Sequence, residues 1–103
     1  PGFQDKKIFD FLCLISQETS SEAIVCGGSS MQILDTTDIL SKIEVPCLIL
    51  TGSEDIVVSQ EKSLFLYDKI KNALHIEIKG VGHAPYCENA LEFNEKISSF
   101  LST

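Results

Sequence analysis

Apolar and polar positions fall into blocks along the chain, and the spacing inside each block differs. Residues 3 to 16 carry Phe3, Ile8, Phe9, Phe11, Leu12 and Ile15 at mixed spacing with no period-two alternation, which predicts a short apolar helix. After the polar stretch "SQETSS", a second helix is predicted from an N-cap at Ser20 or Ser21 towards Leu34, with Glu22 in its first turn and Gly27 and Gly28 as weak points. "DTTDILSKI" predicts a further helical turn or two. In "EVPCLILTG" a continuous apolar run from Val45 to Leu50, opened by a proline and closed by Gly52, has the pattern of a parallel strand covered on both faces. "SQEKSLFLYDKIKN" predicts an amphipathic helix with Ser59 as N-cap and Leu64, Leu66, Tyr67 and Ile70 towards the core. "ALHIEIK" reads as a second strand. "NALEFNEKISSFL" closes the chain as a helix capped by Asn89, with Glu92 three residues on and a stripe of Ala90, Phe93, Ile97, Phe100 and Leu101.

Strand, helix, strand, helix, with about twenty residues between the strands, predicts a parallel βαβ unit with a right-handed crossover. Two parallel strands do not make a stable sheet alone, because a buried parallel strand needs a neighbour on each edge and helices on both faces. The pattern therefore predicts part of a larger α/β domain, and a chain that self-associates or folds poorly unless its strand edges are covered.

Composition narrows the partners. At 103 residues and 44% hydrophobic the chain suits one compact unit with a core. A net charge of −7, with eight lysines and no arginine, offers neither a basic patch nor a bidentate phosphate clamp, so nucleic acid and anionic membrane surfaces are not expected partners. No apolar run approaches the roughly 20 residues that span a bilayer. "KKIFDFLCLIS" imitates a signal peptide, but Asp10 interrupts it and no initiator Met precedes it; a chain starting at Pro1 is expected to be cut from something longer. Cys13, Cys26, Cys47 and Cys87 form no CxxC pair, and are expected to be reduced, mostly buried thiols of a cytoplasmic protein. His83 and Cys87 fall short of a four-ligand zinc site, so no metal is expected.

Candidate chemistry centres on "KGVGHAPYCE", residues 79 to 88. Gly80 and Gly82 allow a sharp turn and Pro85 stiffens its exit, so the loop fixes where the His83 imidazole points. In open parallel sheets function gathers beyond the carboxyl ends of the strands, where both Asp55 and His83 lie. A carboxylate beside an imidazole accepts its Nδ1 proton and stabilises the imidazolium formed when Nε2 takes a proton from a nucleophile. His75, inside a strand, is expected to be a packing or solvent-side residue. Glu88 is expected to sit at the start of the last helix, where exposed amides favour negative charge. Val57, Val58, Ala84 and Tyr86 flank the pair, with Val57 and Tyr86 taken as candidate substrate-binding residues.

"IEVPCLILTGSEDIVV", the helix after it, "LHIEIKGVGHAPYCE" and "FNEKISSFL" together resemble the C-terminal third of an α/β-hydrolase of the capped esterase and lactonase type. The resemblance covers residues 35 to 103, and implies that residues 1 to 34 are the end of a helical cap, the family's variable lid. It implies that Asp55, in "GSED", is the triad acid and His83, in "GVGH", the triad histidine, with Glu54 out of register as a minor alternative. It also implies a small ester-like or lactone substrate and no cofactor.

The family's nucleophile sits in a GxSxG elbow upstream of the acid, and no GxSxG occurs here. "VCGGSSMQ" offers Ser29 or Ser30 without glycines in register and too close to Asp55, and Cys26 has Ile24 where the elbow needs glycine. The nucleophile is thus expected outside this sequence, and the isolated chain is expected to be inactive. Two alternatives stay open. One is an epoxide hydrolase or dehalogenase with an aspartate in the elbow; the other is a non-catalytic receptor or scaffold that kept the fold.

Overall fold

A computed structural model describes residues 5 to 103. Its elements are α1 (Lys6–Ser16), α2 (Ser21–Ile33), α3 (Thr37–Leu40), β1 (Cys47–Gly52), α4 (Gln60–Lys69), β2 (Ala73–Ile78), α5 (Pro85–Glu88) and α6 (Ala90–Leu101). Phe3, assigned by the sequence pattern to the first helix, lies outside the described residues. The two strands pair in parallel, from Cys47 against Ala73 to Gly52 against Ile78, and α4 makes the crossover between them.

Side-chain caps mark the starts of three of the six described helices. Asp5 accepts from the Lys7 N–H at the head of α1, and Ser20 from the Ala23 N–H at the head of α2, each satisfying an amide that the helix cannot. Asn89 accepts from the Glu92 N–H and donates its amide to the Glu92 carboxylate, so the expected reciprocal cap of α6 forms through the side chains. Ser59 occupies the N-cap position of α4 without a side-chain bond. Gly27 and Gly28 do not break α2, whose cost from two mid-helix glycines is entropic rather than steric.

Several expectations need correcting. β1 begins at Cys47, not Val45, because Pro46 has no N–H to donate and the first ladder bond is Cys47 N–H to the Asn72 carbonyl at 2.8 Å. It runs on through Thr51 and Gly52, and its residues are half-buried except Gly52, which is buried, so its cover is partial. The physical reason is that the described residues supply two strands only, with α4 and α6 packed on the pair. Within α4 Ser63 is the buried residue, followed by buried Ile70 at the C-cap, while Leu64 and Tyr67 are exposed. On α6, Phe93, Ile97 and Phe100 are half-buried while Ala90 and Leu101 are exposed. Short helix α5, unforeseen from the pattern, starts on Pro85, whose fixed φ suits a first helical position.

The expectation of one compact unit also fails. A radius of gyration of 15.7 Å exceeds the roughly 13 Å of a self-contained domain of about 100 residues. Among the described residues the buried large apolar side chains are few: Leu40, Ile70, Ile78 and Val81, of which Ile78 alone is fully buried. Helices α1 and α2 bury none of their residues, and Phe11, Leu14, Ile24, Val25, Met31 and Ile33 are exposed. Cys13 and Cys26 are therefore exposed too, and Cys47 and Cys87 half-buried, all four as free thiols. None of the described helices is long and apolar enough to cross a membrane.

Glycines make opposite demands in the two regions. A Cβ on Gly52 would collide with the carbonyl oxygens of Val81 and Gly82, whereas one on Gly27 or Gly28 would meet nothing within 4 Å. Gly52→Ala is expected to cost roughly 1–3 kcal/mol as overpacking against backbone, and Gly28→Ala to gain roughly 0.5–1 kcal/mol as relief of helix entropy. Shifts of the urea midpoint in opposite directions check this; a neutral Gly52→Ala contradicts the packing described.

Candidate active site

The site forms where the turn after β1 meets the loop after β2. Three hydrogen bonds join them: two between backbone groups, Ser53 N–H to the Ile78 carbonyl (2.9 Å) and Glu54 N–H to the Val81 carbonyl (2.8 Å), and one from Gly80 N–H to the Ser53 hydroxyl (2.8 Å). Gly80 has φ of 76°, in the left-handed region that favours glycine, and turns the chain back over the end of β1. The backbone of residues 81 and 82 then lies directly against Gly52, and no larger residue fits between them. Among the described residues Gly80 is the one with positive φ; Gly82 does not need its freedom in that region.

Asp55 and His83, 28 residues apart, meet in this junction. His83 Nδ1 lies 3.0 Å from Asp55 Oδ2. An ionised carboxylate only accepts hydrogen bonds, so Nδ1 carries the proton and neutral His83 has Nε2 as its free lone pair. Asp55 Oδ1 accepts from the Val57 N–H (2.8 Å) and the Val58 N–H (3.0 Å), closing a turn that holds the carboxylate while its other oxygen faces the ring. The Val58 amide first, then the hydrogen bond to His83, lower the Asp55 pKa below its ordinary 3.8; burial opposes them, and the Val57 amide adds a lesser lowering. The Asp55 side chain is 11% exposed and the His83 side chain 56%. The acid is thus sheltered under an imidazole that faces outward.

Both residues line a cleft of about 200 Å³ with Ile49, Leu50, Thr51, Gly52, Val58, Ser63, Leu66 and Pro85. A larger cavity of about 520 Å³, between α3 and α4, contains neither. The chemistry favours the smaller one, since it holds an imidazole paired with a carboxylate, whereas the larger, lined by Asp35, Thr37, Glu61 and Lys62 among apolar residues, has no such pair. Val57 and Tyr86, the candidate substrate-binding residues, are outside the cleft lining: Val57 contributes its amide to Asp55, and the exposed Tyr86 ring packs edge-on against Phe93 at 6.1 Å. Glu54 is exposed, and its backbone rather than its carboxylate joins the two loops. Half-buried His75 bonds Thr51 across the strands through Nε2 at 2.9 Å. Ser30 gives its hydroxyl to the Cys26 carbonyl inside α2.

Glu88 differs most from expectation. It ends α5 instead of starting the last helix, and is 2% exposed, with Oε1 accepting from the Gly82 N–H (3.0 Å) and Oε2 from the Ala84 N–H (3.1 Å). A sequence signal existed only in its distance, five residues after His83, since nothing in a glutamate marks it as buried. Among the described residues no group of three or more His, Cys, Asp or Glu side chains is arranged to hold a metal.

Two parallel strands that deliver an acid and then a histidine from their carboxyl ends, with α4 between them and α6 after, form the C-terminal part of an α/β-hydrolase fold. Relatives of the chain are hydrolases. It is 28% identical over 74 residues to the "Putative carbamate hydrolase RutD" of Pseudomonas syringae pv. syringae (strain B728a), a match over 72% of this chain and 29% of that protein. Among solved structures it is similar to Est816, an N-acyl homoserine lactone degrading enzyme (36% identity, TM-score 0.61, 64% of this chain and 26% of that one). It is similar also to the CarC serine hydrolase involved in carbazole degradation (28%, TM-score 0.64, 68% and 27%). The enol-lactonase of Burkholderia xenovorans LB400, at 19% identity, shares the fold over 98% of this chain and 41% of its own, with a TM-score of 0.78. The chain spans about three tenths of the curated relative's length. No protein-family model matches the sequence.

The lowered Asp55 pKa sets a pH window. A carboxylate depressed in the folded state stabilises the fold above its unfolded value of 3.8, and that contribution is lost as pH falls through its own lower value. Asp55→Asn is expected to lower the urea midpoint at neutral pH, by an amount that shrinks once the pH passes below 3.8. Paired denaturation curves at successive pH values check this, and a gap that widens in acid contradicts it.

Proposed function

We propose that this chain supplies the acid and the histidine of a serine-type hydrolase acting on an ester, a lactone or a similar small acyl substrate. The observation that carries the reading is the 3.0 Å bond from His83 Nδ1 to Asp55 Oδ2 at the carboxyl ends of two parallel strands. His83 Nε2 is then the general base that takes the proton of a serine hydroxyl as its oxygen bonds to the substrate carbonyl carbon. The same nitrogen returns the proton to the leaving oxygen when the tetrahedral intermediate collapses. Asp55 orients the ring and stabilises the imidazolium between these steps. The carbamate, lactone and serine hydrolases to which the chain is similar support this class of acyl chemistry.

Residues 1 to 34 are read as the end of the lid over the substrate, and residues 35 to 103 as hydrolase core. The serine lies in a part of the enzyme outside this sequence. Exposed apolar faces on α1 and α2, and outer edges of β1 and β2 that no strand among the described residues pairs, favour association with that part, or between copies of the chain. Four free thiols suit a cytoplasmic setting.

The 103-residue chain alone is expected to hydrolyse a p-nitrophenyl ester no faster than free imidazole at the same concentration. Saturable turnover abolished by Ser29→Ala would sink the placement of the nucleophile. In the complete enzyme a fluorophosphonate is expected to label a serine outside residues 1 to 103, with labelling lost in His83→Ala. Turnover without any labelled serine would indicate an aspartate nucleophile instead, and neither labelling nor turnover a non-catalytic relative.

A further inference from the structure

The two amides that Glu88 holds belong to the residues on either side of His83. Gly82 donates to Oε1 and Ala84 to Oε2, so one carboxylate spans the histidine along the backbone. Glu88 is 2% exposed, and a buried carboxylate is costly unless its oxygens find donors. Its reach is set by α5, whose Cys87 and Glu88 amides both bond the Ala84 carbonyl at 2.9 Å, fixing the distance between the glutamate and the loop it returns to. On the opposite side the same loop is held by Val81 accepting from Glu54 and by its contact with Gly52. The His83 side chain itself is 56% exposed, so its orientation depends on Asp55 and on how firmly its own backbone is held.

We propose that Glu88 is a positioning residue for His83: by gripping the amides of Gly82 and Ala84 it fixes the backbone from which the imidazole reaches Asp55. This rests on the reading of His83 as the general base. Both loop groups are donors, so the partner must be an acceptor at both oxygens, which a carboxylate is and an amide is not. Glutamine would turn an NH₂ towards one of the two N–H groups, and aspartate would lack the length to span both. Either change loosens the loop and lets His83 leave Asp55 for the solvent. Neutral imidazole then shifts from the tautomer protonated at Nδ1 towards that protonated at Nε2, in which the ring no longer offers a base at the position a triad uses.

The tautomer is readable without substrate. In the complete ¹⁵N-labelled enzyme at alkaline pH, long-range ¹H–¹⁵N correlation of the His83 ring is expected to show protonation mainly at Nδ1. In Glu88→Gln and Glu88→Asp the Nε2-protonated fraction is expected to rise about fivefold, the ratio that loss of one hydrogen bond of ordinary net strength gives. The Gly82 and Ala84 amide protons are expected to move upfield with it. Glu92→Gln, which weakens the cap of α6 instead, is expected to leave the tautomer ratio unchanged. An unchanged ratio in either Glu88 variant that keeps the β1–β2 cross-strand contacts overturns the proposal. So does a wild-type chain whose His83 already shows the tautomer mixture of free imidazole. Because no turnover enters the readout, a failure here leaves the hydrolase reading standing, and an absent nucleophile leaves this result intact.

Discussion

The contact between the end of β1 and the backbone of residues 81 and 82 governs the geometry of everything near it. It brings two peptide chains closer than any side chain at Gly52 permits. Because that contact is backbone on backbone, it can be stitched by the amides of Ser53 and Glu54, which bond the carbonyls of Ile78 and Val81. Those bonds set the separation of the two turns, and the separation sets whether Asp55 reaches His83. The parallel register that puts Gly52 beside Ile78 is thus the precondition for the site, since a slip of one residue would put a threonine or serine where only glycine fits.

Two carboxylates then do different work around one imidazole. Asp55 turns one oxygen to amides of its own turn and the other to the His83 ring, so its charge is available to the ring while its orientation is not free. Glu88 turns both oxygens to backbone amides and is buried under the loop. The first acts on the electronic state of the histidine and the second on its position. Their environments differ as these roles require: one is at the floor of an open cleft, the other sealed from water.

The remainder of the molecule is underpacked for its length. Among the described residues four large apolar side chains are buried, while apolar residues of α1, α2 and α4 face solvent, and β1 is half-covered. Hydrophobic patterning is nevertheless strong throughout, so surface that the sequence prepares for burial has no partner among the described residues. A small, well-hydrogen-bonded junction between two loops is therefore held by a framework whose own faces are largely unsatisfied. This combination fits the C-terminal part of an α/β-hydrolase fold, where other strands and helices supply the missing layers.

Much was legible in the sequence because local rules determine it. Ser20 and Asn89 mark helix starts through their own side-chain chemistry, the apolar runs at residues 47 to 50 and 74 to 78 specify strands, and Asp55 and His83 sit behind those strands in an order that few other patterns share. Only the tertiary structure decided which apolar faces are covered, because burial depends on what packs opposite and not on the residue itself. It moved the inner side of α4 onto Ser63, left Leu64 and Tyr67 in solvent, and put Val57 and Tyr86 outside the cleft. It also turned Glu88 from an expected helix-start charge into a buried bridge between two amides. That bridge depends on where α5 returns the chain, a property of three-dimensional reach that spacing along a sequence does not contain.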